Sequence, residues 1–259
     1  MKTVLITGAS SGIGKGLSYV YAENNFNLVL AARRKNNLEE IKNDLEKKHS
    51  VSVNIFDIDL SKLDSAEKLY EKTKAMNLKV DVLINNAGFG VSGQFTDIDM
   101  DKEADMLMLN MITLTKLTKL FAKEMVKTGS GHIINIASTA AFQPIPTMAT
   151  YAATKAYVLS FSEAIAYELK KQSRIGAGVK VTAICPGATQ SEFAQTADMG
   201  NPSMFNKAPT SRELAEFTYK AMIKGKTTAI HGAKNSFLTF TARFSPRKVV
   251  TAIAAKMVE

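Results

Sequence analysis

The 259-residue chain predicts an α/β fold, a doubly wound parallel sheet with helices on both faces in three αβα layers. Three observations carry that expectation. Short apolar runs alternate with segments of helical spacing along most of the sequence, as βαβ units require. The first apolar run ends in a glycine-rich turn that opens directly into a helix. No internal repeat and no Pro- or Gly-rich linker divides the chain, so residues 1–259 read as one domain.

In order, Val4 to Thr7 is a short β run, and helical spacing follows from Ile13 to about Glu23. Asn27 to Ala32 is the next strand, and a charged helix runs from about Lys35 to Lys48. Val51 to Phe56 alternates as a strand does, and Lys62 to Met76 returns to helical spacing. Val80 to Ile84 and His132 to Ala137 are apolar strands separated by a long helix around Glu103 to Lys127. A helix from about Tyr151 to Gln172 precedes the strand Lys180 to Ile184, and the stretch Lys170 to Gly178 leaves that strand's start open. Right-handed crossovers then build the doubly wound sheet. Ala188 to about Thr210 is irregular, with Gly200, Pro202 and Pro209 among apolar residues, and reads as a lid over a binding site.

Composition excludes several classes. Hydrophobic residues make up 46% of the chain, which supports a buried core and rules out disorder. A single cysteine, Cys185, excludes a disulfide scaffold and a zinc finger, and suits a reducing cytosol. It precedes Pro186 and reads as a small buried hydrophobe. His49, His132 and His231 have no metal-ligand spacing, so no metal is expected. No apolar run approaches the ~18 to 20 residues that span a bilayer. Gly8 interrupts the N-terminal run before the ~7 apolar residues of a signal-peptide core, and a cytoplasmic location is expected. The charge is 33 basic against 24 acidic residues, or +9. Gly225 to Glu259 holds six basic residues and one acid, +5 of that total, so the remainder is only mildly basic and nucleic acid is not an expected partner.

The turn Thr7-Gly8-Ala9-Ser10-Ser11-Gly12-Ile13-Gly14 links the first strand to the first helix. Its glycines permit a tight turn and close backbone approach to a pyrophosphate, while the helix N-terminus offers unpaired N–H groups. At the end of the second strand an acid would hold a free ribose 2′-OH. Here the chain reads Ala32-Arg33-Arg34-Lys35, and the first acid is Glu39. Arginines suit a 2′-phosphate, which points to NADP(H) over NAD(H). Farther on, Tyr151 and Lys155 stand four apart with helical spacing, so their side chains share one face. A lysine charge ~4 Å from a tyrosine hydroxyl, at a dielectric of about 20, is worth up to about 4 kcal/mol. That would lower the tyrosine pKa by about three units and poise it as an acid/base near neutrality.

As a set, Thr7-Gly8-x-x-x-Gly12-Ile13-Gly14, Asn85-Asn86-Ala87-Gly88, Asn110, Ser138, Tyr151-x-x-x-Lys155 and Pro186-Gly187 resemble the short-chain dehydrogenase/reductase family, whose order and spacing they follow from residue 3 to about 193. The resemblance implies a Rossmann-type fold, an NAD(P)-dependent oxidoreductase and a carbonyl or alcohol substrate. It implies that Ser138 hydrogen-bonds the substrate oxygen, that Tyr151 is the general acid, and that Lys155 tunes Tyr151 and binds the nicotinamide ribose. Asn110, in the long helix, would hold a water of the proton relay. On the cofactor side it implies contacts from Gly8, Ser10, Ser11, Gly12, Ile13 and Gly14, from Asp59 and Leu60 to the adenine, and from Asn86, Ala87 and Gly88 beside its ribose. Pro186, Gly187, Thr189 and Ser191 would hold the carboxamide, although the family more often has threonine at the Ser191 position. Ser11 stands where NADP enzymes of the family often carry a basic residue. That leaves Arg33 as the main 2′-phosphate ligand, with Arg34 assisting.

The substrate wall is expected from Ala188 to Asn206 facing Thr139 to Met148. Phe193, Met199, Met204, Phe205, Phe142, Ile145 and Met148 suit an apolar carbonyl compound. The alternative is a non-catalytic NADP-binding regulatory or membrane-surface protein on the same fold, which Ser138, Tyr151, Lys155 and Asn110 together argue against. The resemblance also implies a homodimer or homotetramer. The C-terminal arm, about 233–259, carries Phe237, Leu238, Phe240 and Phe244 before a segment with Val249, Val250, Ile253 and Met257 on one helical face. Packing over the active site or a subunit interface is preferred there to a basic anchor at anionic membranes.

Overall fold

A computed structural model describes residues 1–172, 178–199, 205 and 208–258, residues 257 and 258 by their backbone alone. The expectations for Gly200, Pro202, Met204 and Asn206 lie outside the described residues, as does the side chain of Met257. Seven parallel strands form one sheet in the order β3-β2-β1-β4-β5-β6-β7. They are β1 (Thr3–Thr7), β2 (Asn27–Ala32), β3 (Val53–Asp57), β4 (Val82–Asn85), β5 (Ser130–Ile136), β6 (Gly178–Cys185) and β7 (Thr228–Ile230). The register runs Ile6 beside Leu30 on one side and Ile84 on the other.

Alternation along β1 explains the layers. Val4 and Ile6 point to one face and join Leu17, Val20 and Tyr21 of α1 (Gly12–Glu23), Leu38, Ile41 and Leu45 of α2 (Lys35–Lys48) and Leu214 of α8 (Ser211–Ile223). Leu5 points to the other, where Leu69 of α3 (Ser65–Ala75) and Leu117, Phe121 and Met125 of α5 (Leu114–Thr128) meet it. Burial on both faces accounts for strands that read as apolar runs. The chain winds from β1 out to β3, returns to β4 on the other side of β1, and so opens a crevice at the strands' C-terminal ends.

Three features depart from the expected elements. The long central helix is α4 (Met100–Leu107), a π-helical segment (Met108–Thr113) and α5. β7 and α8 were not foreseen: β7 has only three residues, too few to show a period, whereas α8 announces itself by a capping box of Thr210 and Glu213. The irregular 188–210 segment contains a short helix, α7 (Phe193–Thr196), and a parallel bridge between Gln190 and Thr210. The remaining helices are α6 (Ala149–Gln172), α9 (Ala233–Ala242) and α10 (Arg247–Val258). Among the described residues no helix is long and apolar enough to cross a membrane.

Candidate active site

The glycine turn is built by close approach. A Cβ on Gly14 would stand 2.1 Å from the Gly8 carbonyl oxygen, and Gly8 and Gly12 take φ of +66° and +49°. Asn86 locks the turn from β4, its Nδ2 donating to the Thr7 and Gly8 carbonyls at 2.9 and 3.2 Å. Ser11 begins α1 without a side-chain cap, and no acid occupies the helix's first turn. The N–H groups there are left to face a cleft of about 540 Å³. A concave wall of backbone donors without a carboxylate fits a dinucleotide's phosphates.

That cleft brings together Gly8, Ser10, Ser11, Gly12, Ile13, Gly14, Arg33, Arg34, Asp59, Leu60, Asn86, Ala87, Gly88 and Ser191. Pro186, Gly187 and Thr189 are not among its walls. The Thr189 hydroxyl donates to the Gly187 carbonyl at 3.2 Å, and Asn235 of α9 backs Gly187. At the second strand's end, Arg33 is exposed and its charge reaches Asp59. Burial raises the Asp59 carboxyl, but hydrogen bonds from Ser61 and the Arg33 charge bring it below the usual range. Arg34 is the arginine that grips the glycine turn: its guanidinium donates to Ser10 Oγ at 3.3 Å and to Ser11 Oγ.

The catalytic candidates converge beside this cleft. Ser138 follows β5, and its Oγ accepts from the Ala140 N–H at 3.1 Å while donating weakly to the Pro186 carbonyl at 3.4 Å. The Ser138 hydroxyl stands near enough to that of Tyr151 to lower its pKa. Lys155 is buried one turn on from Tyr151, and its Nζ donates to the Ile136 carbonyl at 2.9 Å. Asn110 is buried on the π-helical segment, and a Cβ on Gly88 would lie 2.8 Å from its Oδ1 and 3.7 Å from Lys155 Nζ. The end of β4 therefore joins the cleft to these candidate residues.

One expectation needs correction. Lys155 does not lower the Tyr151 pKa in this arrangement. Burial pushes the hydroxyl up to about 12, against a smaller lowering by the Ser138 hydroxyl. The Lys155 ammonium stands 5.7 Å from the centre of the Tyr151 ring and spends a proton on Ile136, while its own burial pulls it down to about 8. Desolvation of both groups outweighs the Coulomb gain that spacing alone suggests. Asn110 is held in place by three hydrogen bonds. Its Nδ2 donates to the Phe89 carbonyl at 2.9 Å and Thr154 Oγ1 at 3.1 Å, and its Oδ1 accepts from the Phe89 N–H at 3.2 Å. One Oδ1 lone pair is left for a water.

The lid supplies residues that the sequence reading missed. Glu192 accepts from Arg34 at 2.8 and 3.1 Å and from Ser11 Oγ at 2.8 Å. Asp198 pairs with Lys102 of α4, and the Ser92 N–H donates to the Ala197 carbonyl at 3.0 Å. Phe193 lies 5.2 Å from the Tyr151 ring, centre to centre. Met148, Ile145, Met199 and Phe193 gather with Tyr151 in one apolar cluster, whereas Phe142 packs with Leu114 and Val158. None of the ion pairs has a periodicity that could have announced it.

The sheet order, the uncapped glycine turn and the Ser138–Tyr151–Lys155 group define a nucleotide-binding oxidoreductase of the doubly wound class. Residues 2–201 match the short chain dehydrogenase family. The chain belongs to that family. It is 32% identical over 209 residues to a "Dehydrogenase/reductase SDR family protein 7-like" of Drosophila melanogaster, a match spanning 80% of this chain and only 63% of that one. A short-chain dehydrogenase from Sphingobium yanoikuyae solved with NADPH superposes with a TM-score of 0.83 at 30% identity, over 94% of each chain. The bulky-bulky ketone specific alcohol dehydrogenase from Comamonas testosteroni gives 0.79 at 29%, over 94% of this chain and 92% of that one.

Proposed function

We propose that the chain reduces the carbonyl of a bulky apolar compound with NADPH, or oxidises the corresponding secondary alcohol. The observation that carries this reading is the convergence of Ser138, Tyr151 and Lys155 where the cleft meets the apolar cluster of Met148, Ile145, Phe193 and Met199. The NADPH complex and the ketone-specific enzyme among the similar structures support it. When bound, the nicotinamide supplies or takes the hydride. The Ser138 hydroxyl turns from its long 3.4 Å bond to Pro186 and donates to the substrate oxygen. Tyr151, held protonated by burial, gives that oxygen its proton, which is the state a general acid needs in the reducing direction. Lys155 positions the ribose and replaces the proton on Tyr151, and Asn110 fixes α6 through Thr154. Ala32 offers no carboxylate to repel a 2′-phosphate, and Arg33 and Arg34 both line the cleft.

A panel of ketones and aldehydes, followed by NADPH absorbance, tests the reading together with Tyr151→Phe. The phenylalanine variant keeps NADPH binding and loses about 10² to 10⁴ in rate, the usual effect of losing a general acid. Retention of more than about a tenth of the wild-type rate removes Tyr151 from that role.

A further inference from the structure

The C-terminal arm is packed on one side only. On α9, Asn235 and Thr239 lie four apart; Asn235 is set against Gly187, Thr239 is buried, and the helix rests on the Thr139–Phe142 turn that follows Ser138. At 100° per residue the opposite face carries Phe237 and Phe240, and Phe244 follows in the turn past the helix end. These are exposed, Phe237 by 67% and Phe244 by 76%, and the rings of Phe240 and Phe244 touch edge to face at 5.2 Å. Val249 and Ile253, four apart on α10, are exposed as well. The packing preferred from the sequence thus accounts for one face of α9 and leaves an aromatic face outside.

Charge decides what that face fits. From 233 to 258 the arm carries Lys234, Arg243, Arg247, Lys248 and Lys256 and no acid. A second copy docked on the same face would set five cations against five, and like charges brought together oppose association. Nucleic acid would match the charge but would leave three phenylalanines and two aliphatic side chains without apolar cover. An anionic bilayer surface answers both features, because its headgroups attract lysine and arginine while aromatic side chains enter the acyl boundary. We infer that the face made by Phe237, Phe240, Phe244, Val249 and Ile253 docks reversibly on anionic membrane surfaces, with the five cations around it on the lipid headgroups. The docked face lies one helix diameter, about 10 Å, from the turns that carry Ser138 and Gly187. The inference stands on the arm alone and does not depend on the carbonyl reaction.

The chain has no tryptophan, so Phe244→Trp gives a single reporter in an otherwise intact protein. With vesicles of phosphatidylcholine containing 30% phosphatidylserine (about one lipid in three), its emission shifts to the blue. Sedimentation of the wild type with those vesicles exceeds that with pure phosphatidylcholine by at least about ten-fold, and falls as salt screens the headgroups. The pair Arg247→Glu and Lys248→Glu, and separately the pair Phe237→Ser and Phe244→Ser, each lower the partitioning by at least about ten-fold while circular dichroism stays native. Equal binding to both vesicles, or full binding by either folded variant pair, overturns the proposal. So does a wild-type dimer that the serine pair dissolves in the absence of lipid, which would assign the face to a second copy. Binding of duplex oligonucleotide lost with the glutamate pair but kept by the serine pair would assign the charge to nucleic acid and likewise defeat it.

Discussion

The proposed 2′-phosphate contact and Glu192 would draw on the same Arg34 guanidinium, and Glu192→Gln should reveal that competition. The carboxylate receives two hydrogen bonds from the Arg34 guanidinium and one from Ser11, at 2.8 to 3.1 Å, at the mouth of the cleft beside the second strand. Those bonds, Arg34 first and then Ser11, hold the Glu192 carboxyl below its usual range, so it is ionised at neutral pH. Both side chains are about half exposed, 46% and 50%, so the pair belongs with surface ion pairs of ~0.2 to 1 kcal/mol. Its bidentate geometry puts it near the upper figure, and about 1 kcal/mol is roughly a five-fold change in affinity.

An NADPH phosphate that recruits Arg34 must loosen this pair, and NADH need not. Glu192→Gln is therefore expected to lower KM for NADPH by about three- to five-fold and leave KM for NADH unchanged. The assay is steady-state kinetics with both cofactors at low and high salt, where the gap between variant and wild type narrows as the pair is screened. Arg34→Ala should weaken NADPH alone, and comparison with Arg33→Ala ranks the two arginines. A hydrogen bond to a charged group, roughly 1.5 to 3 kcal/mol, sets about ten- to a hundred-fold for whichever holds the phosphate. An NADPH KM that stays constant or rises in Glu192→Gln, or an equal change for NADH, refutes the competition.

Two further outcomes follow from buried bases. Burial brings Lys155 down to about 8, so its cation is lost as pH rises through that value, and NADPH binding should weaken by up to about ten-fold per pH unit above it. Fluorescence titration from pH 6 to 10 (about the stable range of most folded proteins) reads this, and Lys155→Met should be weak and flat across it. His132 is pulled down to about 4 by burial, with a smaller push from Lys180, and its Nε2 meets Thr182 Oγ1 at 2.8 Å. The unfolded chain, with a histidine near 6.5, then binds the extra proton between pH 6.5 and 4, so stability falls as pH drops through that window. The loss attributable to this residue is up to about 3 kcal/mol, and His132→Gln should remove it when urea unfolding at pH 7 and about 4 is compared. An equal acid loss in variant and wild type would clear His132 of the effect.

What the sequence made legible follows from locality. The glycine turn, the pair Tyr151 and Lys155, and the arginines after Ala32 each lie within one strand–turn–helix unit, where spacing alone decides which groups share a face. β7 and α8 were missed for different reasons. β7 is three residues of sheet edge with no room for a period, while the Thr210–Glu213 capping box was present and unread. The Arg34–Glu192 and Lys102–Asp198 pairs join residues 158 and 96 positions apart, and only the folded lid creates them. The Tyr151 pKa shows the same boundary in energetic form. Helical spacing reports a neighbouring charge but says nothing of how much water is removed, and burial sets the sign here.

The π-helical segment is the least legible feature, because a run such as Met108–Thr113 has the composition of any amphipathic helix. A π turn holds one residue more than an α turn, and such widenings gather at functional sites. Here it turns Asn110 into the interior, where three hydrogen bonds tie it to Phe89 and Thr154, while Ile112 on the same segment faces solvent. Deleting Ile112 should let α4 and α5 run on as one regular helix. The helices on either side of Met108–Thr113 keep their faces because the deleted residue is the surplus one. Asn110 then leaves Phe89 and Thr154, and at ~0.5 to 1.5 kcal/mol for each of the three hydrogen bonds the fold loses about 1.5 to 4.5 kcal/mol. Turnover should fall by at least about ten-fold, since Thr154 sits between Tyr151 and Lys155 on α6. Ile112→Ala, which keeps the extra residue, should leave both properties near wild type. A deletion variant that keeps full turnover and stability would show that the π turn does not position Asn110 for either purpose.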